Sequence, residues 1–97
     1  MDRVEASYKA AKGLIRIKAT VDAEKIKDIQ IAGDFFMYPE DQLWELERNL
    51  VGTSIQRSAI VAKIQSFYKQ TDILTPGVVP EDFAEAIIKA ITPQSST

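Results

Sequence analysis

The sequence predicts an α+β fold: an N-terminal three-stranded antiparallel sheet covered on one face by about three helices. Three observations predict it. The first third of the 97-residue chain alternates apolar and polar residues with period two. The remainder carries apolar residues at helical spacing behind Pro-acid starts. The strands all precede the helices, which argues against an alternating β/α layout.

The elements follow in order. Val4, Ala6 and Tyr8 alternate with Glu5, Ser7 and Lys9 in a first strand, and Ala10 to Gly13 can turn. Ile15, Ile17, Ala19 and Val21 then share one face, with Arg16, Lys18 and Thr20 on the other. Asp22 to Lys25 form a polar turn. Ile29, Ile31 and Phe35 alternate with Asp28, Gln30 and Asp34 in a third strand. Ile26 breaks that parity, so the strand begins after it or contains a bulge. Strands are expected over about 3–36 and helices over about 39–92.

Pro39, Glu40 and Asp41 read as a helix start, since proline suits the first turn and acids favour the positive end of the helix dipole. Leu43, Leu46 and Leu50 form the stripe, and Gly52 is placed to end the helix. Thr53 or Ser54 is expected to cap a second helix with a stripe of Ile60, Ile64 and Phe67, flanked by Val61 and Tyr68. Thr75-Pro76-Gly77 is a loop. Pro80-Glu81-Asp82 opens a third helix carrying Phe83, Ile87 and Ile91. Pro93 is expected to stop it, with a frayed tail over Gln94 to Thr97. No repeat, low-complexity stretch or second domain is visible, so one domain over 1–97 is expected.

Composition excludes several functions. A net charge of -2 argues against a general nucleic-acid binder, which needs a basic surface. The chain has no cysteine and no histidine, which removes disulfides, thiolate chemistry, a Ser-His-Asp triad and the usual zinc sites. Asp2, Arg3 and Glu5 follow Met1 with no apolar stretch, so no signal peptide is expected. No apolar run approaches the ~20 residues of a membrane span. The expected location is the cytoplasm.

The four glycines (Gly13, Gly33, Gly52, Gly77) are dispersed, so neither standard phosphate-binding loop is present. Tyr8 and Lys12 stand four apart, as in a dehydrogenase pair, but in strand-like sequence with no dinucleotide fold; the spacing reads as chance. Glu40, Asp41, Glu45 and Glu47 offer carboxylates for acid–base work, yet read more simply as a solvated helix face. Acids are missing from Ala6 to Val21 and from Val51 to Thr71, leaving two cationic elements for an anion or an acidic partner. Lys12 leads among them because it sits in the turn before Gly13, where backbone and side chain can both approach a ligand.

Gly33-Asp34-Phe35-Phe36 is the sharpest feature. Alternation turns Phe35 inward and Phe36 outward, and Gly33 removes a side chain where another backbone can come close. One reading is a docking or lid surface. The other is a bulge at Gly33 with both rings packed under the first helix. Parity makes Phe35 structural and leaves Asp34 and Phe36 to face a partner.

The pattern from Lys12 to Gly52 resembles the C-terminal accessory domain of lipoate–protein ligases. The matching pieces are Lys12-Gly13-Leu14-Ile15, the strand ending in Gly33-Asp34-Phe35-Phe36, Pro39, Leu46-Glu47 and Leu50-Val51-Gly52. Asp82-Phe83 fits near the start of the last helix. The resemblance implies an accessory subunit of a bipartite ligase. Such a subunit assists ATP-dependent activation of lipoate to lipoyl-adenylate by a separate catalytic subunit, before transfer to a lipoyl-domain lysine.

It also implies that ATP, Mg2+ and lipoate belong to the assembled heterodimer, with no cofactor bound by this chain alone. The catalytic large subunit is the partner. The lipoyl-domain proteins, namely the 2-oxo acid dehydrogenase acyltransferase and the glycine cleavage H protein, are indirect partners. No catalytic residue is assigned; Lys12, Gly13, Gly33, Asp34, Phe35 and Phe36 are the candidates for interface or ligand assistance, and no metal site is expected. The start at Met1 with no catalytic domain before it leads to the expectation of a natural small subunit. The alternatives are a non-enzymatic interaction module, homodimeric through its sheet edge or aromatic patch, and a small enzyme using carboxylates.

Overall fold

The computed structural model describes residues 2–92. The chain runs β1 (Asp2–Ala10), β2 (Gly13–Asp22), β3 (Lys25–Asp34), α1 (Gln42–Leu50), α2 (Arg57–Gln70) and α3 (Pro80–Ile91). The strands pair as an antiparallel meander in the order β1-β2-β3. The expected α+β fold is therefore the observed one.

Strand parity decides which face is covered. Ile15, Ile17 and Ala19 of β2 are buried, while Arg16 and Lys18 are exposed. Register aligns this row with Tyr8, Ala6 and Val4 on one side, and with Gly33, Ile31 and Ile29 on the other. A register shift at Thr20/Val21 pairs Thr20 with Asp28 and Val21 with Ile26. The extra residue, Lys27, is what returns Ile26 to the buried face, so the parity break is a bulge.

α3 crosses β1 and β2, α1 flanks β3, and α2 packs on α1 and α3. Two helices thus meet the sheet, and the third closes over them. Ile60, Ile64 and Phe67 of α2 join Leu46, Leu50, Phe83 and Ile87 in one core with the sheet. Full burial of such a side chain contributes about 1.5–3 kcal/mol. That burial outweighs weak local helix signals.

The helix starts differ from expectation in two places. Pro39 follows a cis peptide bond and lies before α1, which begins at Gln42 after a turn; the N–H groups of Gln42 and Leu43 donate to the carbonyls of Pro39 and Glu40. Neither Thr53 nor Ser54 caps α2, whose N-cap is Gln56. Thr53 is instead buried against the sheet, accepting a hydrogen bond from Ile26 N–H at 2.9 Å, and Ser54 bridges to Lys25. α3 starts as expected, with Pro80 in the first turn and Val79 N–H donating to Asp82 Oδ2 at 2.9 Å. Pro93 and the tail lie outside the described residues.

Both sheet edges are partly occupied. Ile31 N–H on β3 donates to Glu47 Oε2 at 2.7 Å, so this carboxylate secures α1 to the edge rather than facing solvent freely. On β1, Lys89 Nζ donates to Ser7 O at 2.8 Å.

Candidate functional site

The register of the sheet gathers all six sequence-predicted residues at one end. Leu14 pairs with Asp34 and Ile15 with Gly33, which brings the Ala11-Lys12 turn and Gly13 beside the end of β3. Phe35 and Phe36 continue from there. Three of the four glycines build this end by leaving out side chains. A Cβ on Gly13 would lie 2.5 Å from Asp34 O and 3.3 Å from Phe35 Cβ. A Cβ on Gly33 would collide with the Leu14 carbonyl, and its φ of 139° is itself a glycine conformation. Gly77 (φ 80°) comes from a distant loop. A Cβ there would lie 2.5 Å from Lys12 Cβ and 3.1 Å from its Cγ and Cδ.

The Lys12 stem therefore lies flat against the Gly77 backbone. Lys12 is exposed, and no ion pair or hydrogen bond engages its ammonium among the described residues. The Gly77 loop is held from below. Thr75 Oγ1 donates to Val78 O at 2.7 Å, so the Tyr68 hydroxyl is the donor in its 2.9 Å bond to Thr75 Oγ1. Half-burial of Tyr68 raises its pKa above the ordinary 10.0, and Asp82 and Glu81 push it further up.

The two phenylalanines part company. Phe35 is half-buried and meets Phe83 edge-on, with centroids 5.3 Å apart at 82°. Phe36 is 67% exposed and parallel to Tyr38, itself 49% exposed, at 6.3 Å. Phe36 is therefore not packed under α1, as the second reading of the tetrad had it, and Phe35 meets α3. Tyr38 exchanges two backbone hydrogen bonds of 2.9 Å with Leu74, which is 66% exposed. Tyr38, Leu74 and Gly77 belong to this end, and sequence reasoning missed them. Thr-Pro-Gly marks a turn, but nothing local shows that the turn meets Lys12.

The other candidates do not assemble. Glu45 faces Arg48 at 3.6 Å on the surface, and Glu47 is committed to the β3 edge, so α1 presents no acid–base pair. Arg57 is paired with Glu85, which ties α2 to α3. Tyr8 lies in a groove with Ile88, Lys89 and Thr92, inside the strand rather than beside Lys12. Among the described residues no cluster of three metal-ligating side chains occurs, and no helix is long and apolar enough to cross a membrane. A shallow hollow on the open sheet face mixes Arg3 and Lys18 with Glu5 and Asp28; that is no donor-rich cradle for a nucleotide. The glycine-built end offers a fixed cation, a carboxylate and an aromatic surface, a set suited to recognition.

Comparison with known proteins identifies the family. Residues 3–87 match the family model described as bacterial lipoate protein ligase C-terminus. The chain is 49% identical over 81 residues to lipoate-protein ligase A subunit 2 of Thermoplasma acidophilum, covering 84% of this chain and 83% of that protein. It also superposes, with a TM-score of 0.82 and 48% identity, on a solved chain from the archaeal lipoylation system of T. acidophilum, described as a bi-partite lipoate protein ligase and its E2 lipoyl domain; 89% of this chain and 94% of that one are covered. The chain belongs to the family of the lipoate protein ligase C-terminus.

Proposed function

We propose that this chain, as one accessory unit over residues 1–97, is the small subunit of a two-chain lipoate–protein ligase. It assists ATP-dependent activation of lipoate to lipoyl-adenylate by a separate catalytic subunit, which then acylates a lysine of a lipoyl domain. The acceptors are the acyltransferase of a 2-oxo acid dehydrogenase and the glycine cleavage H protein, and the assembled heterodimer works in the cytoplasm. One observation carries the reading: the chain matches a named second subunit over 83% of that subunit's length. The recognition groups at its glycine-built end support it.

ATP, Mg2+ and lipoate are assigned to the catalytic subunit, as kinship with the C-terminal part of lipoate protein ligases implies. What this chain supplies is a surface that closes over the partner's site and excludes water from a hydrolysable acyl-adenylate. Lys12 supplies a cation whose stem is already fixed by Gly77, so little side-chain freedom is lost when it meets an anion. Asp34 pairs with Leu14 beside this turn and Phe36 follows two residues on, with Gly13, Gly33 and Phe35 shaping the end from within.

The test measures pyrophosphate release and lipoyl-adenylate formation by the large chain with and without this one. Stimulation by this chain is expected, and no difference overturns the reading. Lys12→Ala is expected to lower pyrophosphate release at least about tenfold, equivalent to about 1.4 kcal/mol of barrier. Transfer from preformed lipoyl-adenylate should be unaffected, which separates activation from transfer.

A further inference from the structure

The surface beside Lys12 has a composition that the accessory role does not by itself require. Two uncharged runs, Phe35–Pro39 and Ile73–Pro80, are far apart in a chain that is 27% charged. The Tyr38–Leu74 bridge joins them side by side. Opposed bridge residues project to the same side, as do Phe36 and Tyr38 two residues apart. The result is a platform of Phe36, Tyr38 and Leu74. Its backbone is fixed by two hydrogen bonds and its rings by their parallel stacking. Phe35, anchored on Phe83, holds it to the core.

The border of the platform is as informative as its centre. The first run lies between Asp34 and Glu40, and the second between Asp72 and Glu81. All four acids are exposed. An apolar aromatic centre depleted of charge, within a charged rim, is the anatomy of a protein–protein interface. The acidic rim repels phosphate-rich surfaces, which disfavours a membrane or a nucleic acid.

Area separates a second copy from an unlike partner. The three side chains expose roughly 400 Å2 together. Two copies meeting through this patch alone would bury about 800 Å2 in total, below the ~1,000 Å2 that stable interfaces clear. An unlike partner is not held to self-complementarity and can extend over the Lys12 end.

We propose that the Phe36–Tyr38–Leu74 platform is the docking surface for the catalytic subunit, and that it seats in an apolar depression bordered by basic side chains. This rests on the accessory-subunit reading above. Docking there sets Lys12 at the margin of the interface, so the same contact that binds the partner delivers the cation.

The experiment measures the Kd of the full chain for the large ligase chain of the same organism, at low and moderate salt. Phe36→Ser, Tyr38→Ser and Leu74→Ser are each expected to raise Kd at least about tenfold. The small-chain concentration giving half-maximal pyrophosphate release should rise by the same factor. Trp44→Ser, in the separate exposed patch that α1 forms with its C-cap Val51, should change Kd less than about twofold. Asp72→Asn should slow association and weaken its salt dependence. Circular dichroism and thermal melting confirm that each variant is folded.

A wild-type chain that binds while the platform variants keep wild-type Kd overturns the docking surface and leaves the accessory role standing. A Trp44→Ser variant that alone loses binding moves the interface to α1 and likewise overturns it. A platform-dependent dimer in sedimentation assigns the surface to a second copy. A wild-type chain that neither binds nor stimulates the large chain overturns both proposals.

Discussion

The two ends of the sheet are built on opposite principles. At the β2–β3 end, the turn residues Ala23 and Glu24 have φ of 51° and 61° although neither is glycine. That end is secured by backbone hydrogen bonds to the α1–α2 connection: Ile55 N–H to Glu24 O at 3.1 Å, Ile26 N–H to Thr53 O at 2.9 Å, and Gly52 N–H to Ile26 O at 2.7 Å. Any residue can supply such bonds except proline as donor. At the β1–β2 end, Gly13, Gly33 and Gly77 let backbone and the Lys12 stem approach where no side chain fits. Only glycine can do that. The end carrying Gly33-Asp34-Phe35-Phe36 has no room for a side chain at its glycines, while at the other end Gly52 answers only to its left-handed φ.

Glycine replacements break this comparison most directly. Gly33→Ala places a Cβ into the Leu14 carbonyl at a left-handed φ, and neither atom belongs to a flexible side chain. Backbone strain and overpacking add, so a loss of about 3 kcal/mol or more is expected. Gly52→Ala sits at the opposite end with φ 87° and nothing within 4 Å of the new Cβ. It pays only the left-handed penalty, about 1–2 kcal/mol. Urea unfolding of the two variants, read at equal m-value, measures the difference. Equal losses would mean that φ alone governs both sites and that close approach adds nothing.

A smaller effect is expected where the Lys12 seat is held from below. Tyr68→Phe removes the bond to Thr75 and with it about 1 kcal/mol near neutral pH. Its pH dependence gives the sign. The folded-state pKa of Tyr68 is raised, chiefly by burial, so its contribution is fully present below the ordinary 10.0. That contribution is lost as pH rises through the folded value, because the unfolded chain ionises first. The stability gap between wild type and Tyr68→Phe should therefore narrow above pH 10.0. A gap constant from pH 8 to 11 would show that the hydroxyl does not titrate in its buried position.

Much of this was legible in the sequence, and the rest has a physical reason for being hidden. The β2 row of Ile15, Ile17 and Ala19 and the α2 stripe of Ile60, Ile64 and Phe67 are periodic, and periodicity survives folding because it is what the core buries. The same alternation brought Lys12 and Gly13 to Gly33 and Asp34 through register alone. Cap chemistry was less dependable. Thr53 looks like an N-cap, but its backbone is taken by Ile26 and its hydroxyl is buried with no hydrogen-bond partner among the described residues. Tyr38, Leu74 and Gly77 were invisible because what joins them to the site is a bridge and a steric contact between remote segments. No local pattern encodes either.

The smallest predicted change improves the other end. A two-residue hairpin turn with positive φ at both positions favours Asn-Gly, and Ala23-Glu24 occupies it without the Asn side chain or the freedom of glycine. Left-handed backbone costs a non-glycine residue about 1–2 kcal/mol, and glycine returns about half of that through the entropy of the unfolded chain. The double variant Ala23→Asn, Glu24→Gly should therefore gain about 0.5–1 kcal/mol, a few degrees in Tm for a chain of this size. Glu24 contributes its carbonyl to Ile55, which glycine retains, so the attachment to the α1–α2 connection should persist. Lys12 lies at the far end of the sheet, so stimulation of the large chain should be unchanged. A gain in Tm with lost stimulation would show that the two ends are coupled through the strands, and that the turn was kept strained for a reason that lies in the site.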